Sequence, residues 1–193
     1  QYSDRWTGSR QSITVPGGGA MNESSAHDSV VRPMLHTDLE LVLAWRNHPD
    51  VRRHMYTQHE ITLDEHLSWF ERASNNSRKH PLIFESHGKP TGFVNFSELE
   101  CGGVADWGFY ASPDAPRGSG RLLGRMALEY GFTKFKLHKV CGQALGHNER
   151  SIRFHQTLGF QQEGVLRDQH FDGTQYHHVF CFGLLRNEWR FAA

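Results

Sequence analysis

The residues best suited to binding an anion lie between Arg117 and Arg121. Gly118 and Gly120 are one residue apart, and glycine lets the backbone approach a phosphate closely. A helix beginning here would direct its free N–H groups and the positive end of its dipole at the ligand. The two arginines could add charged hydrogen bonds. The segment therefore predicts a phosphate site, and the alternative interpretation is an ordinary loop before a core helix.

The residues on either side of this turn predict the elements that position it. The hydrophobic run Trp107–Ala111 precedes the turn and predicts a strand. Beyond Gly120, apolar residues recur at helical spacing and share one face. They are Leu122, Leu123, Met126, Ala127 and Tyr130. The pattern therefore predicts a strand, a glycine-rich turn and an amphipathic helix in succession.

A second strand, turn and helix follow about twenty residues later. Val140–Leu145 predicts a buried strand, and Asn148 is a good N-cap for the helix that follows. Gly159 is a typical helix terminator. The apolar positions of this helix are Ile152, Phe154 and Leu158. His155 lies within the helix.

Together, the two segments resemble the GNAT N-acetyltransferase family. In that family a Q/R-x-x-G-x-G/A turn holds the pyrophosphate of coenzyme A, and a later N-x-x-A-x-x-F-Y-x-x-x-G-F segment holds its acetyl end. Pro116–Gly120 matches the end of the turn, with Ala115 where Gln or Arg is usual. Asn148–Phe160 matches the later segment, with His155 in place of the Tyr that is the usual general acid.

The resemblance implies acetyl-CoA as co-substrate and direct attack of an amine on the thioester in a ternary complex. Backbone N–H groups near Phe109–Ala111 would stabilise the oxyanion. His155 would be the catalytic residue that protonates the departing thiolate. The cofactor-binding residues would be Phe109, Tyr110, Ala111, Arg117, Gly118, Ser119, Gly120, Arg121, Leu122, Asn148, Ser151 and His155.

The remaining sequence predicts an α+β fold, a mixed α/β sandwich in the order β-α-α-β-β-β-α-β-α-β-β. This is the order of the GNAT fold, a mostly antiparallel sheet flanked by helices whose fourth and fifth strands splay apart. Pro33 predicts either an edge position or an early stop for the first strand, and Pro49 predicts that the first helix either ends or bends there. Val51–Tyr56 is expected to resume that helix. Thr62 and Glu65 predict a capping box for the next helix.

Further segments are similar to the N-acetyltransferases of the pseudaminic acid pathway, which serves flagellin glycosylation. They are Trp45–His48, Met55–Ile61, Glu65–Phe70, Phe109–Pro113 and Glu163–Arg167. This resemblance implies acetylation of the 4-amine of a nucleotide sugar, UDP-4-amino-4,6-dideoxy-N-acetyl-β-L-altrosamine. The acceptor would be held by Arg46, Asn47, His48 and Tyr56. An arginine can bind a diphosphate through two parallel hydrogen bonds, and Tyr56, Trp45 or Trp69 could stack on a ring, although such residues also serve as core.

The general base is less evident from the sequence. Relatives often carry a Glu on the strand after the glycine-turn helix, and the nearest position here is Gln143, which cannot accept the proton. Glu98, Asp106 and His48 are the remaining candidates, and each could equally be a strand-end or loop residue.

Two other functions stay open. The segment around Trp45 is loosely shared with ribosomal-protein N-terminal acetyltransferases, so the acceptor could be a peptide amine. The loss of Tyr at position 155 and of Glu at position 143 also allows a non-catalytic module that only binds coenzyme A.

The composition of the chain indicates which partners and cofactors to expect. The 193 residues carry 21 basic and 21 acidic side chains, so we expect neither nucleic acid nor a membrane as partner. Three scattered cysteines suit reduced thiols in a cytoplasmic protein. The histidines lack metal-binding spacing, so no metal is expected. A homodimer is a possible assembly.

Residues 1–28 are predicted to be a disordered extension, or vector-derived residues before a native start at Met21, followed by a GNAT domain over residues 29–193.

Overall fold

The computed structural model describes residues 28–99 and 102–190. The predicted extension, apart from its last residue, lies outside the described residues. Seven strands form one sheet in the described ranges. They are β1 Ser29–Pro33, β2 Lys79–Ser86, β3 Lys89–Glu98, β4 Val104–Ala111, β5 Lys139–Leu145, β6 Gln161–Phe171 and β7 Tyr176–Leu185.

The helices follow the order that the sequence predicted. They are α1 Leu39–Asn47, α2 Pro49–Arg52, α3 Leu63–Ser74, α4 Ser119–Thr133 and α5 Glu149–Thr157, with a 3₁₀ turn at His36–Asp38 before α1. None of the helices in the described ranges is both long and apolar enough to cross a bilayer.

The sheet order is β1-β2-β3-β4-β5-β7-β6. All neighbouring strands are antiparallel except β4 and β5, which are parallel. β1 lies at one edge, as Pro33 predicted. The mostly antiparallel α+β arrangement expected from the sequence is therefore confirmed.

The parallel pair β4–β5 is unusually short. Only Val104–Asp106 pairs with β5, opposite Lys139–Cys141. Beyond Asp106, β4 remains hydrogen-bonded only to β3, and β5 beyond Cys141 remains paired only with β7. The two strands therefore diverge and open the sheet into a V, as the resemblance implied.

The sheet separates two apolar cores, because successive side chains of a strand point to opposite faces. Leu82 and Phe84 of β2 belong to the larger core, which packs against α4 and α5. Ile83, between them, belongs to the second core, which packs against α1 and α3. The two pairs of helices thus cover opposite faces of the V.

One helix boundary was predicted wrongly. The first helix ends at Asn47, just before Pro49, as predicted, but α2 begins at Pro49 and stops at Arg52, so only the start of Val51–Tyr56 resumes a helix. A proline fits the first turn because its missing N–H would have had no partner there. His48 is the N-cap, and its Nδ1 accepts a hydrogen bond from the Asp50 N–H at 3.2 Å.

The predicted capping box of α3 is confirmed. The Thr62 Oγ1 accepts a hydrogen bond from the Glu65 N–H at 3.2 Å, and the Glu65 carboxylate accepts one from the Thr62 N–H at 2.7 Å. Two N–H groups without helical partners are satisfied in this way. The start of α3, which carries cleft residues described below, is thereby fixed.

We expect Asp38→Asn to destabilise the fold by about 2 kcal/mol, because a buried carboxylate–guanidinium pair is broken. Asp38 is 5 % exposed, and its two oxygens accept hydrogen bonds from Arg32 at 2.7 and 2.9 Å. Arg32 holds the pKa of Asp38 below its ordinary value. The stabilisation is therefore present above the ordinary carboxyl pKa and lost as pH falls through the folded-state pKa.

Urea unfolding at pH 7 and in acid measures both effects. Asp50→Asn is the control, because Asp50 is exposed and pairs only with Arg53 at 3.3 Å and, at 4.0 Å, with His48. It should cost at most about 0.5 kcal/mol. Equal losses in the two variants at pH 7 would contradict the assignment.

Candidate active site

A cleft of about 1220 Å³ opens where β4 leaves β5. One wall is contributed by α1, α3 and the loop between α2 and α3, and the other by β5 and the starts of α4 and α5. Residues that the sequence assigned to a site and that line this cleft are Arg46, Tyr56, Trp69, Asp106, Phe109, Tyr110, Ala111, Arg117, Gly118, Gly120, Gln143, Asn148, Ser151 and His155. Most of the expected site is thus assembled in one place.

The glycine turn leads directly into the N-terminus of α4. Gly118 is the N-cap and has a φ of +89°, a conformation that glycine adopts without strain. Ser119, Gly120, Arg121 and Leu122 form the first turn of the helix. A Cβ at position 118 or 120 would meet no atom within 4 Å, so both positions face open space. The turn can therefore present backbone N–H groups to an anion.

The start of α5 is fixed as the sequence predicted. The Oδ1 of Asn148 accepts a hydrogen bond from the Ser151 N–H at 3.1 Å, which makes Asn148 the N-cap. Gly159, with a φ of +91°, follows the end of the helix. Asn148 and Ser151 both border the cleft.

His155 borders the cleft but is almost completely buried, with 1 % of its surface exposed. Its Nε2 lies 3.1 Å from the Trp107 Nε1, and its Nδ1 lies 2.8 Å from the Ser151 carbonyl oxygen. Burial lowers the pKa of His155, and the hydrogen bond to Ser151 opposes this effect. Its proposed role as general acid stays a prediction at this point.

Arg46 reaches the opposite wall of the cleft from the end of α1. Its Nη2 donates to the Thr57 carbonyl at 2.8 Å, whereas its Nη1 is buried without a hydrogen-bond partner among the described residues. Desolvation lowers the pKa of Arg46, Tyr110 raises it to a smaller extent, and Arg52 adds repulsion. The guanidinium is thus a partly buried cation whose Nη1 has no hydrogen-bond partner in the described structure.

The sequence assigned Asn47 and His48 to the acceptor site. Neither is among the described residues that line the cleft. The Asn47 amide is fully used by Ile61, donating to its carbonyl and accepting from its N–H, both at 2.8 Å. The His48 side chain caps α2. Both residues therefore shape the backbone around Arg46 in this structure.

The segment 53–61, which we call the strap, bridges the two arms of the V. The Tyr56 hydroxyl donates to the Gln143 Oε1 on β5 at 2.8 Å. The His54 ring stacks on His147, with ring centroids 5.8 Å apart. His147 in turn lies 3.3 Å from the Nδ1 of His177. The strap thereby connects the wall that carries Arg46 with β5 and with the residues just before α5.

Of the three candidate bases, only Asp106 lines the cleft in the described structure. It is the last residue of β4 that pairs with β5, opposite Cys141. Partial desolvation raises its pKa, and Lys79 opposes the rise to a smaller extent. Glu98 instead binds His80 at 2.6 Å, outside the cleft lining.

Two cleft residues carry a signal that sequence reasoning missed. His66 of α3 is 5 % exposed and stacks on Trp69 at 5.2 Å, and its Nε2 is buried without a partner in the described structure. The Oδ1 of Asn95 on β3 is also buried and unpartnered there. His66 lies inside the Glu65–Phe70 segment that carried the resemblance, which could have drawn attention to it. Asn95 has no sequence signal.

No group of three or more His, Cys, Asp or Glu side chains within residues 28–99 and 102–190 is arranged to hold a metal ion. Neither Cys141 nor Cys181 forms a disulfide bond with another described residue.

The comparisons with known proteins agree with this geometry. Residues 29–161, more than half of the chain, match the acetyltransferase (GNAT) domain model. The chain is 28 % identical over 126 residues to the acetyltransferase PseH of Campylobacter jejuni, covering 64 % of this chain and 76 % of that protein. It is 24 % identical over 167 residues to the spermidine N(1)-acetyltransferase of Escherichia coli, covering 86 % and 90 %.

The fold is also similar to a solved structure, that of spermidine N-acetyltransferase from Vibrio cholerae in complex with CoA and spermine. The TM-score is 0.77 at 20 % identity, over 83 % of this chain and 97 % of that one. The splayed sheet, the glycine turn at a helix start and the family match together lead to one conclusion. This chain belongs to the GNAT family and is an acetyl-CoA-dependent N-acetyltransferase.

Proposed function

We propose that the protein transfers the acetyl group of acetyl-CoA to the 4-amine of a UDP-activated 4-amino sugar of the altrosamine type. The observation that carries the proposal is the Arg46 guanidinium, partly buried at the acceptor side of the cleft with Nη1 unpartnered. A buried cation is costly unless an anion or hydrogen-bond acceptor reaches it. The diphosphate of a nucleotide sugar supplies such a group.

A polyamine would fit Arg46 less well. An acceptor site for a polyamine would need unpaired carboxylates that can bind several positive charges. On the wall of the cleft that carries Arg46, Asp50 instead forms an ion pair with Arg53 at 3.3 Å, and Glu65 accepts a hydrogen bond from the Thr62 N–H at 2.7 Å. The similarity to spermidine acetyltransferases therefore supports the reaction type more than the substrate. A peptide N-terminus likewise would bring a positive charge, not an anion.

We assign the cofactor to the opposite side of the V. The N–H groups of the first turn of α4, with Arg117, would hold the pyrophosphate of acetyl-CoA. The acetyl-pantetheine arm would enter between β4 and β5. Because alternate N–H groups of a strand point to opposite edges, some of those between Trp107 and Ala111 face the gap left by β5. They are suited to stabilise the tetrahedral oxyanion.

Asp106 is our proposed general base. It lies at the apex of the V, where the amine would meet the thioester, and its raised pKa makes it a stronger proton acceptor. The amine would attack the carbonyl carbon directly while its proton passes to Asp106, and the C–S bond would break to release the thiolate of coenzyme A.

We expect Gly118→Val to raise the acetyl-CoA dissociation constant at least tenfold, about 1.4 kcal/mol. The side chain would occupy the open space in front of the α4 N-terminus and would strain a residue with a φ of +89°. Isothermal titration calorimetry measures the change. Gly173→Val is the matched control, because Gly173 has a φ of +100° but lies in the β6–β7 turn away from the cleft. Equal acetyl-CoA affinities in the two folded variants would refute the site.

We expect Arg46→Gln to raise the KM for the UDP-amino sugar at least tenfold, because a desolvated charge pair with the diphosphate is lost. Acetyl-CoA affinity should not change. Arg52→Gln is the control, since Arg52 carries the same charge on α2, lies outside the cleft lining and pairs with Glu60 at 3.6 Å.

A thiol-release assay over UDP-4-amino sugars, spermidine and N-terminal peptides measures both the substrate and the variants. Turnover of spermidine or peptides without turnover of any UDP sugar would overturn the proposal. Acetyl-CoA binding without release of thiol from any acceptor would favour a non-catalytic module instead.

We expect Asp106→Asn to lower kcat by roughly 10²-fold, because the amide cannot accept the proton. In the unaltered enzyme, kcat/KM should fall as pH drops through the raised pKa of Asp106, since the protonated acid is inactive. The variant should lose this acid limb. Glu98→Gln, which changes a carboxylate outside the cleft lining, should retain the unaltered rate. The reverse outcome would make Glu98 the base.

A further inference from the structure

The imidazole of His155 lies at the point where β4 and β5 separate. The last pair of the two strands is Asp106 with Cys141, and the next residues along each are Trp107 and Gly142. A Cβ at position 142 would lie 2.4 Å from the His155 Nε2 and 2.8 Å from the Trp107 Nε1. The two rings therefore fill the space that a side chain at position 142 would need.

The hydrogen bonds determine where the proton of this imidazole resides. The indole Nε1–H of Trp107 can only donate, so the His155 Nε2 must be the unprotonated acceptor at 3.1 Å. The proton of the neutral ring is then on Nδ1, which donates to the Ser151 carbonyl at 2.8 Å. Both nitrogens are used, and the nitrogen directed at β4 has no proton to give.

Aromatic packing holds the ring in this orientation. His155 stacks on Phe182 with centroids 4.8 Å apart and planes within 7°, and Phe160 meets it edge-on at 5.0 Å. Rotation toward the cleft would break both hydrogen bonds and leave the Trp107 N–H unpaired among apolar groups, which is costly. The arrangement is therefore a fixed connection between α5, β4 and β7.

From this geometry we infer that His155 is a positioning residue that sets the separation of β4 and β5 through Trp107, and that it does not protonate the thiolate. Trp107 directly precedes the stretch of β4 assigned to oxyanion stabilisation, so a shift of its indole moves those N–H groups. A displacement of about 1 Å at such a site can cost on the order of 10²-fold in rate. The inference rests on the acetyl transfer in the proposed function, but not on the identity of the acceptor.

Kinetics of His155→Phe, Trp107→Phe and the double variant test the inference. Each single variant should lower kcat roughly 10- to 100-fold, and the double variant should be no slower than the worse single one, because both remove the same connection. If His155 were the acid, Trp107→Phe would keep the rate, and only His155→Phe would be slow. That pattern would overturn the inference.

The pH profile separates the two roles further. A positioning His155 leaves kcat flat from about pH 6.5 to 8.5 and adds no falling limb below that range, whereas an imidazolium acid makes kcat fall as pH rises through the histidine pKa, which burial holds below its ordinary value. His155→Tyr would then extend activity to higher pH, because tyrosine holds its proton to about pH 10. A falling limb that this substitution removes would refute the positioning role.

Nitrogen-15 spectra of the labelled protein test the tautomer without any acceptor, so they hold even if the UDP-sugar proposal fails. We expect His155 to show a protonated Nδ1 and an unprotonated Nε2 across the same pH range. A protonated Nε2 would overturn the inference. Phe132→Leu is the packing control: Phe132 is 2 % exposed near the end of α4, lies outside the cleft lining and packs on Trp189 with ring centroids 6.2 Å apart, so this variant should lower the melting temperature while keeping kcat within about twofold.

Discussion

The early end of pairing between β4 and β5 is the constraint on which the rest of the structure depends. Only three residue pairs join them. Had the ladder continued, the sheet would have been closed and no cleft would exist between its faces. Because it stops at Asp106, α4 and α5 can border the cleft from one face, and α1, α3 and the strap from the other. The catalytic geometry is therefore a property of the sheet before it is a property of any side chain.

The two sides of the V differ in how their polar groups are satisfied. On the side of α5, Asn148 and His155 have partners for the groups they direct inward. On the side of α1 and α3, Arg46 and His66 each keep a buried nitrogen unpartnered in the described structure. The named groups on the first side are satisfied within the protein, whereas the two nitrogens on the second side are left for a ligand to bind. That asymmetry is suited to a cofactor common to a family and an acceptor that varies within it.

Much of the fold could be predicted from patterns of residues that are close together in the sequence. Thr62 with Glu65, and Asn148 alone, predicted helix starts correctly, because capping depends on neighbours within three residues. Pro49 correctly marked the end of α1, but the same residue also begins α2, because the first turn of a helix does not need the N–H that proline lacks.

The location of the candidate site could be predicted from the sequence, but the roles of several of its residues could not. The motif predicted that His155 would lie at the site. Which of its ring nitrogens carries the proton depends on the hydrogen bond from Trp107, which is 48 residues away in sequence. The assignments of Asn47 and His48 rested on the resemblance of the Trp45–His48 segment, whereas neither residue lines the cleft in the described structure. The unpartnered Oδ1 of Asn95 could not have been predicted, since its lack of a partner in the described structure is a property of packing alone.

Gly142 has a consequence for how such sequences can diverge. No side chain fits there while His155 and Trp107 hold their present rings, since a Cβ would overlap both. Positions 107, 142 and 155 therefore cannot drift independently: a mutation that enlarges residue 142 is tolerated only after the imidazole or the indole has already been replaced or moved. Descent from an ancestor with a tyrosine at position 155 would have to follow an order of substitutions, and the three positions should be inherited as a set.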